Sequence, residues 1–487
     1  MARLTRYIGE AAANRTARDS LLQLAVQVSI VPAGIAILLY LTRRLGPAAY
    51  GEYATVMAVI VWIEFVITSL LGRATIKLVA EASRPLAEAA ALVRLAGAIG
   101  GIGTVFVLLF ARQLSNLLGN AELTGLFQLA SIDVVLFAAG SAYVAAIAGL
   151  GRFGRRAVAM SLRWPLRLAL SILLIEMGLG VTGAIWGVIG ASIGELVLCA
   201  ACCPLPIWTV SILPHRLFFA EAMPLFGAAV ALRTLDGGDL LMLRALGASS
   251  AEAGAYAAAM NLAMLPGMLA MAVGPVLIST IVRLRLANRE DEITGLGARI
   301  LNLSAWTVPP TMAVCLASPT IVSICFGSSF ESAAKILQIL AWAGLARMVI
   351  SIASALLVGY GQSSSVWRVC APVVPLAVLG YAILIPLAGA LGAAWATAAA
   401  SLVGVWFALR AVHRHLSVEW PAQTLVALSL CTAAIAVAGW VWPRGGVAAI
   451  AYVVGAATLS FVAMMLASPS TARSAATPSP IVPDANA

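Results

Sequence analysis

The chain has 487 residues, of which 62% are hydrophobic and 10% charged, and its formal net charge is +10. Soluble domains carry about 25% charged residues, so water is not the main solvent for this surface. Only two lysines are present, Lys77 and Lys335, and neither follows a glycine-rich loop, which excludes P-loop ATP hydrolysis.

A spanning helix needs roughly 20 apolar residues. The predicted elements begin with a polar, basic arm over 1–19 that carries Arg3, Arg6, Arg15 and Arg18. The apolar run after it is too long for a signal-peptide core, so it reads as an anchor that is retained. Six spans follow, near 21–41, 53–71, 89–111, 124–148, 165–180 and 181–203, the fifth being short. Residues 204–220 form a connection broken by Pro204, Pro206 and Pro214. Six more spans lie near 222–246, 253–280, 299–317, 333–358, 366–386 and 390–412, and two others near 422–440 and 446–466. Residues 468–487, rich in Ser, Pro and Ala, read as disordered. The expected fold is therefore an all-α polytopic membrane protein of about 14 transmembrane helices. Its units are the arm 1–19, a six-helix lobe 20–203, a cytoplasmic linker 204–220, a second six-helix lobe 221–412, two further helices within 413–467, and the tail 468–487.

The division into lobes comes from an internal repeat. Gly51-Glu52-Tyr53-Ala54, preceded by Leu45-Gly46, returns as Gly254-Ala255-Tyr256-Ala257, preceded by Leu246-Gly247. Gly149-Leu150-Gly151 returns as Gly359-Tyr360-Gly361, and Gly180-x-x-Gly183-Ala184-x-Trp186 as Gly389-x-x-Gly392-Ala393-x-Trp395. The offsets are 203, 210 and 209 residues. Each unit holds an even number of spans, so the second enters the membrane in the same direction as the first. The lobes are then related by an axis along the membrane normal, with a site expected between them.

With the amino terminus inside, roughly 20 of the 30 basic residues fall in inner segments and about six in outer loops. That asymmetry fixes the orientation and accounts for the positive charge without nucleic acid; the basic loops face anionic lipid. The seven cysteines form no disulfide framework. Cys199-x-x-Cys202 lies in an apolar helix, where cysteine acts as a small hydrophobe. His413 and His415 are two apart and lack a third metal ligand. Trp420, Trp440 and Trp442 sit at span ends as interfacial anchors. No loop is long enough for a catalytic domain, which argues against an enzyme, including a membrane glycosyltransferase or polymerase.

Deep charges carry the functional signal, because an ionisable group at the bilayer centre is costly unless it faces a cavity or a partner. At about 1.5 Å per residue, Glu64 lies near the midplane of span two, and Glu195 and Arg347 lie similarly deep in spans six and ten. Asp133 is in the outer half of span four. Arg233, Asp236 and Asp239, three residues apart in span seven, share one face. Arg94, Arg163 and Arg167 lie nearer inner ends, where they either snorkel or meet a substrate from the inner leaflet. Two readings stay open for the deep groups: internal pairing, or a polar cavity in which arginine binds an anionic head group and carboxylates bind Na⁺ or H⁺.

Leu45-Gly46-Pro47-x-x-Tyr50-Gly51-x-Tyr53 after a first span resembles the opening of the polysaccharide flippases of the multidrug/oligosaccharidyl-lipid/polysaccharide exporter superfamily. Asp236 through Leu246-Gly247, then Gly254-x-Tyr256-Ala257, resembles that family's seventh and eighth spans, and Phe326-Gly327-x-x-Phe330 its loop before span ten. The likeness covers about residues 21–412, with two added spans typical of fourteen-helix members. It implies translocation of polyprenyl-pyrophosphate-linked oligosaccharide across the bacterial inner membrane, for O-antigen, exopolysaccharide or capsule synthesis. It also implies alternating access driven by an ion gradient or the membrane potential, with membrane lipids, a polysaccharide polymerase and glycosyltransferases as partners. The family's cationic cavity maps onto Arg233 and Arg347, then Arg94 and Arg167. Ion coupling would fall to Asp236, Asp239, Asp133, Glu64 and Glu195. The acids are as numerous as the central arginines, so a drug or metabolite/cation antiporter of the same superfamily is the alternative.

Overall fold

The computed structural model describes residues 2–206, 233, 237–416, 422–441 and 447–467. The expected linker from 207 onward, most of the seventh span with Asp236, His215, Trp420, Trp442 and the tail 468–487 lie outside the described residues.

The described chain is helical throughout. Helix α1 (Ala2–Glu81) is two limbs joined at Gly46, whose φ of 72° and ψ of 175° break the helical path. Such a conformation suits glycine, which has no Cβ to clash, and Pro47 restarts a helix well because its missing N–H is not needed there. Next come α2 (Pro85–Leu117), α3 (Leu123–Gly149), α4 (Phe153–Ser161) and α5 (Arg163–Leu174). A π turn at Ile175–Leu179 links α5 to α6 (Gly180–Cys202). The second half holds α7 (Gly238–Ala245), α8 (Ser250–Ala263), α9 (Leu265–Leu286), α10 (Glu290–Ala305), α11 (Val308–Phe326) and α12 (Ser332–Gly359). Helix α13 (Ser363–Leu416) folds back at Gly389, and α14 (Ala422–Val441) and α15 (Val447–Ala467) close the chain.

Among the described residues, eight helical stretches are long and apolar enough to cross a membrane. Three of them, Ile30–Glu81, Phe153–Cys202 and Ala371–Leu416, have 52, 50 and 46 residues, about twice the length one crossing needs. Each contains a positive-φ glycine: Gly46, Gly178 with Gly180, and Gly389. Two expected spans differ in detail. The stretch expected at 253–280 is two helices, α8 and α9, because Pro266 starts a new one just past Met264. The stretch expected at 299–317 runs from Glu290 to Phe326; Glu290, Asp291 and Glu292 fill its first turn, where acids complement the helix dipole but depress the local hydropathy.

Positive-φ glycines recur in pairs about 200–210 residues apart: Gly46 with Gly247, Gly119 with Gly327, Gly151 with Gly361, and Gly180 with Gly389. Matching glycines also meet matching neighbours. A Cβ on Gly149 would strike Val79 and Ile76, and one on Gly359 would strike Ile281 and Ile278. One core cluster runs through α1–α3 and α6 and on into α8, α12 and α13. Helices α14 and α15 pack on α11, where the Ser460 hydroxyl donates to Trp306 O at 2.7 Å.

Candidate functional site

Two ends of the bundle can be told apart by contacts. At the Gly46 end, Gly51 and Gly254 touch backbone to backbone: a Cβ on Gly51 would lie 1.8 Å from Ser250 O, and one on Gly254 would lie 2.0 Å from Pro47 O. Arg43 donates from Nε to Cys325 O at 2.9 Å and from Nη2 to Ile324 O, at the carboxyl end of α11. The rings of Tyr50 and Phe330 meet edge to face at 6.2 Å. These contacts seal that end between α1 on one side and α8 and α11 on the other. Tyr143 donating to Cys203 O at 2.7 Å, and Arg285 beside Gly361, belong to the opposite, Gly151 end.

Behind the seal lies a cavity of about 300 Å³ between α1 and α5 on one side and α7–α9 on the other. Arg167 and Arg233 line it, with Tyr50, Tyr53 and Asn261, and with Trp62 and Trp164. No carboxylate lines it among the described residues. Arg167 donates from Nη2 to the Tyr53 hydroxyl at 2.5 Å and stacks over Trp164 at 5.6 Å. Arg233 lies over the Phe65 ring at 5.5 Å. The Nε groups of both arginines are buried and have no hydrogen-bond partner among the described residues. A larger, apolar chamber of about 810 Å³ adjoins the cavity and shares Ile30, Val31, Ile35, Leu262, Leu265 and Met268 with it.

Next to Arg167, inside the first half, two acids are buried together. Glu64 and Asp133 are 4% and 1% exposed and face each other, with Arg163 and Arg167 as the nearby cations. No other described group hydrogen-bonds Asp133 or Oε1 of Glu64. Two carboxylates this close in a low-dielectric interior cannot both be charged without a compensating cation or proton. Glu195 is different: Arg163 holds it from Nη1 at 2.7 Å and stacks over Phe137 at 4.3 Å.

The second half pairs its own deep charges. Asp239 is fully buried and lies 3.8 Å from Arg347 Nη2. Tyr256 donates to its Oδ2 at 2.8 Å and Thr397 at 3.3 Å, while Tyr381 and Thr397 join their hydroxyls at 3.1 Å. Arg347 and Arg94 are not among the residues lining the arginine cavity; Arg94 is half-buried on α2. Thus the structure brings Arg167 and Arg233 together, joins Arg347 to Asp239 and Arg163 to Glu195, and leaves Glu64 with Asp133. Asp236 lies outside the described residues. Among the described residues, no three His, Cys, Asp or Glu side chains converge as a metal would need.

Sequence reasoning did not single out the tyrosines. Tyr53 and Tyr256 are the same position of the Gly-x-Tyr-Ala repeat, yet Tyr53 accepts from a cation and Tyr256 donates to an anion. A hydroxyl repeated in the middle of apolar text was the available signal.

The profile of the family described as polysaccharide biosynthesis proteins matches residues 40–335. No curated protein matches the chain by sequence. Among solved structures, the chain is similar to the lipid II flippase MurJ in an inward closed conformation, with a TM-score of 0.75 at 14% identity over 94% of this chain and 99% of that one. It is similar to an inward-facing multidrug resistance MATE family transporter, with a TM-score of 0.67 at 14% identity over 80% of this chain and 98% of that one. It is also similar to the Vibrio cholerae MATE transporter VcmN, with a TM-score of 0.57 at 15% identity over 84% and 99% of the two chains.

Proposed function

Because the chain belongs to the polysaccharide biosynthesis protein family, we propose that it moves a polyprenyl-pyrophosphate-linked oligosaccharide from the inner to the outer leaflet of the bacterial inner membrane. The protein is a multi-pass membrane transporter with the helical fold shared by MurJ and the MATE transporters, and not an enzyme. The observation that carries the substrate reading is the cavity itself. Two arginines and no described carboxylate line a chamber that adjoins a larger apolar one. A pyrophosphate suits the planar, forked guanidinium groups, and a prenyl chain suits the apolar extension. A drug cation would find two like charges at the same place.

The reading takes three longer stretches as helix pairs broken at glycine, which, with the remaining spans, supports fourteen crossings in two six-helix lobes and two final helices. The positive-φ glycines that pair about 200–210 residues apart support the lobes. The arginine excess makes the Gly151 end the inner one. The conformation, closed by Arg43 and by Gly51 against Gly254, would then accept substrate from the inner side and release it after that seal opens. Glu64 and Asp133 are assigned the coupling proton, since they lie buried together beside Arg167. Substrate and proton would then be linked through Arg167, which lines the cavity and lies beside both acids.

The test is a leaflet-resolved assay of lipid-linked oligosaccharide after depletion of the protein. The expected result is accumulation in the inner leaflet and loss of surface glycan. Normal outer-leaflet delivery in depleted cells overturns the assignment.

A further inference from the structure

A second basic pocket lies far along the chain from the arginine cavity and shares no lining residue with it. It has a volume of about 240 Å³ and sits between the two limbs of α13 at their ends remote from Gly389, with Ser365 and Arg368 on the first limb and Arg410, Arg414 and His415 on the second. Ser365 Oγ and His415 Nε2 are 3.2 Å apart and tie the limbs together. Arg368, Arg410 and Arg414 are exposed, and none of the three has an acidic partner within salt-bridge distance among the described residues. Three arginines and a histidine converge on one concavity, and among its lining residues there is no acid.

The face of α13 that leads to the pocket says what kind of anion it meets. Leu402, Trp406, Arg410 and Arg414 are four residues apart, so they form one row along the helix. Leu402 and Trp406 are each 56% exposed, and Arg410 stacks over the Trp406 ring at 5.4 Å. Apolar, then aromatic, then cationic is the profile of a surface passing from hydrocarbon through the interface to the head groups. Each step rises about 6 Å, so the two arginines stand at head-group height when Leu402 stands in acyl chains.

We propose that Arg368, Arg410, Arg414 and His415 bind the phosphate head group of an anionic phospholipid of the inner leaflet, whose acyl chains lie against Trp406 and Leu402. The inner placement rests on the orientation given above. The lipid is a resident one and not the transported substrate, because the pocket is separate from the central cavity. It clamps the two limbs of α13, and through them Tyr381 and Thr397, whose hydroxyls join across that helix pair and of which Thr397 reaches Asp239 on α7.

The experiment reads lipid retention and not transport. Full-length protein is purified in neutral detergent, and binding of phosphatidylglycerol, phosphatidylcholine and inorganic phosphate is measured by native mass spectrometry. One arm adds unlabelled polyprenyl pyrophosphate as a competitor. The wild type is expected to retain phosphatidylglycerol in preference to phosphatidylcholine and to ignore millimolar inorganic phosphate. Arg410→Ala/Arg414→Ala should weaken phosphatidylglycerol retention roughly 30-fold, from two lost surface cations. Arg410→Lys, which keeps the charge and should fold normally, should weaken it only a few-fold. Arg289→Ala removes a cation from the neighbouring α9–α10 turn and should change nothing. Unaltered retention in the double variant overturns the proposal. So does equal loss in Arg289→Ala, equal binding of inorganic phosphate, or displacement by polyprenyl pyrophosphate.

Discussion

Gly51 and Gly254, the same position in the two copies of a repeated motif, pack directly against each other. Each backbone takes the place where the other's side chain would be. The copies of a duplicated text therefore meet at the contact that closes the Gly46 end. Helices approach this closely only where small residues allow it.

Gly51→Ala puts a methyl carbon 1.8 Å from Ser250 O, a distance only backbone movement can relieve. The variant should fold, because the clash falls on the contact between α1 and α8 and not inside either half, but it should populate the state open at the Gly46 end. Spin labels at Asn120 and Ser329, on a cysteine-free background, should report a longer mean separation than in the parent. An unchanged distance distribution, with transport at the parental rate, would sink the gate assignment.

Arg43 reaches the same gate by a different interaction. Its guanidinium caps Ile324 O and Cys325 O at the carboxyl end of α11, where orphan carbonyls and the helix dipole favour a cation. The group is exposed, so water competes and the effect is modest. Arg43→Ala should shift the same label distances toward the open state about two- to fivefold in population, with Arg43→Lys in between. Identical distributions in Arg43→Ala and the parent would show that the contact latches nothing.

For the cavity, Arg167→Ala and Arg233→Ala should each abolish glycan export at unchanged protein abundance. Arg167→Lys should rescue poorly, since an ammonium loses the forked contact to a phosphate and to Tyr53. Tyr53→Phe is the control for positioning: it should raise the substrate concentration needed for half-maximal transport more than it lowers the maximal rate. Inner-leaflet accumulation of lipid-linked oligosaccharide is the readout, and normal surface glycan in both alanine variants would refute the pyrophosphate role.

Glycine spacing made the repeat, and hence the outline of the fold, legible in the sequence. The turn at Gly46, the break at Gly389 and the loop at Gly327 all carry positive φ, a need that only a residue without Cβ meets easily. The site was legible in depth but not in direction. Counting residues along a helix gives height in the membrane, yet Arg167 and Arg347 differ in what their faces meet. One opens on a cavity and the other lies 3.8 Å from Asp239 across more than 100 residues of chain. In helices that are apolar all round, no hydrophobic stripe marks the inward face. Partners such as Arg163 with Glu195 therefore emerge only from packing.

The two acidic sites should respond in opposite ways to neutralisation. Asp239 is surrounded by Arg347, Tyr256 and Thr397. Asp239→Asn breaks a buried charge pair, a change that costs up to about 3–5 kcal/mol, so abundance and thermal stability should fall. Arg347→Met added to Asp239→Leu removes both charges and should restore much of the loss. Among the described residues, Glu64 Oε1 and both carboxylate oxygens of Asp133 have no hydrogen-bond partner. Glu64→Gln/Asp133→Asn removes two buried ionisable groups that repel each other, so the fold should be as stable as the parent or more so. What should disappear is the dependence of transport on the proton gradient, measured in proteoliposomes with and without an imposed pH difference. If the double amide still responds to the gradient while Asp239→Asn is stable and uncoupled, the proton belongs to the second half and the assignment to Glu64 and Asp133 is wrong.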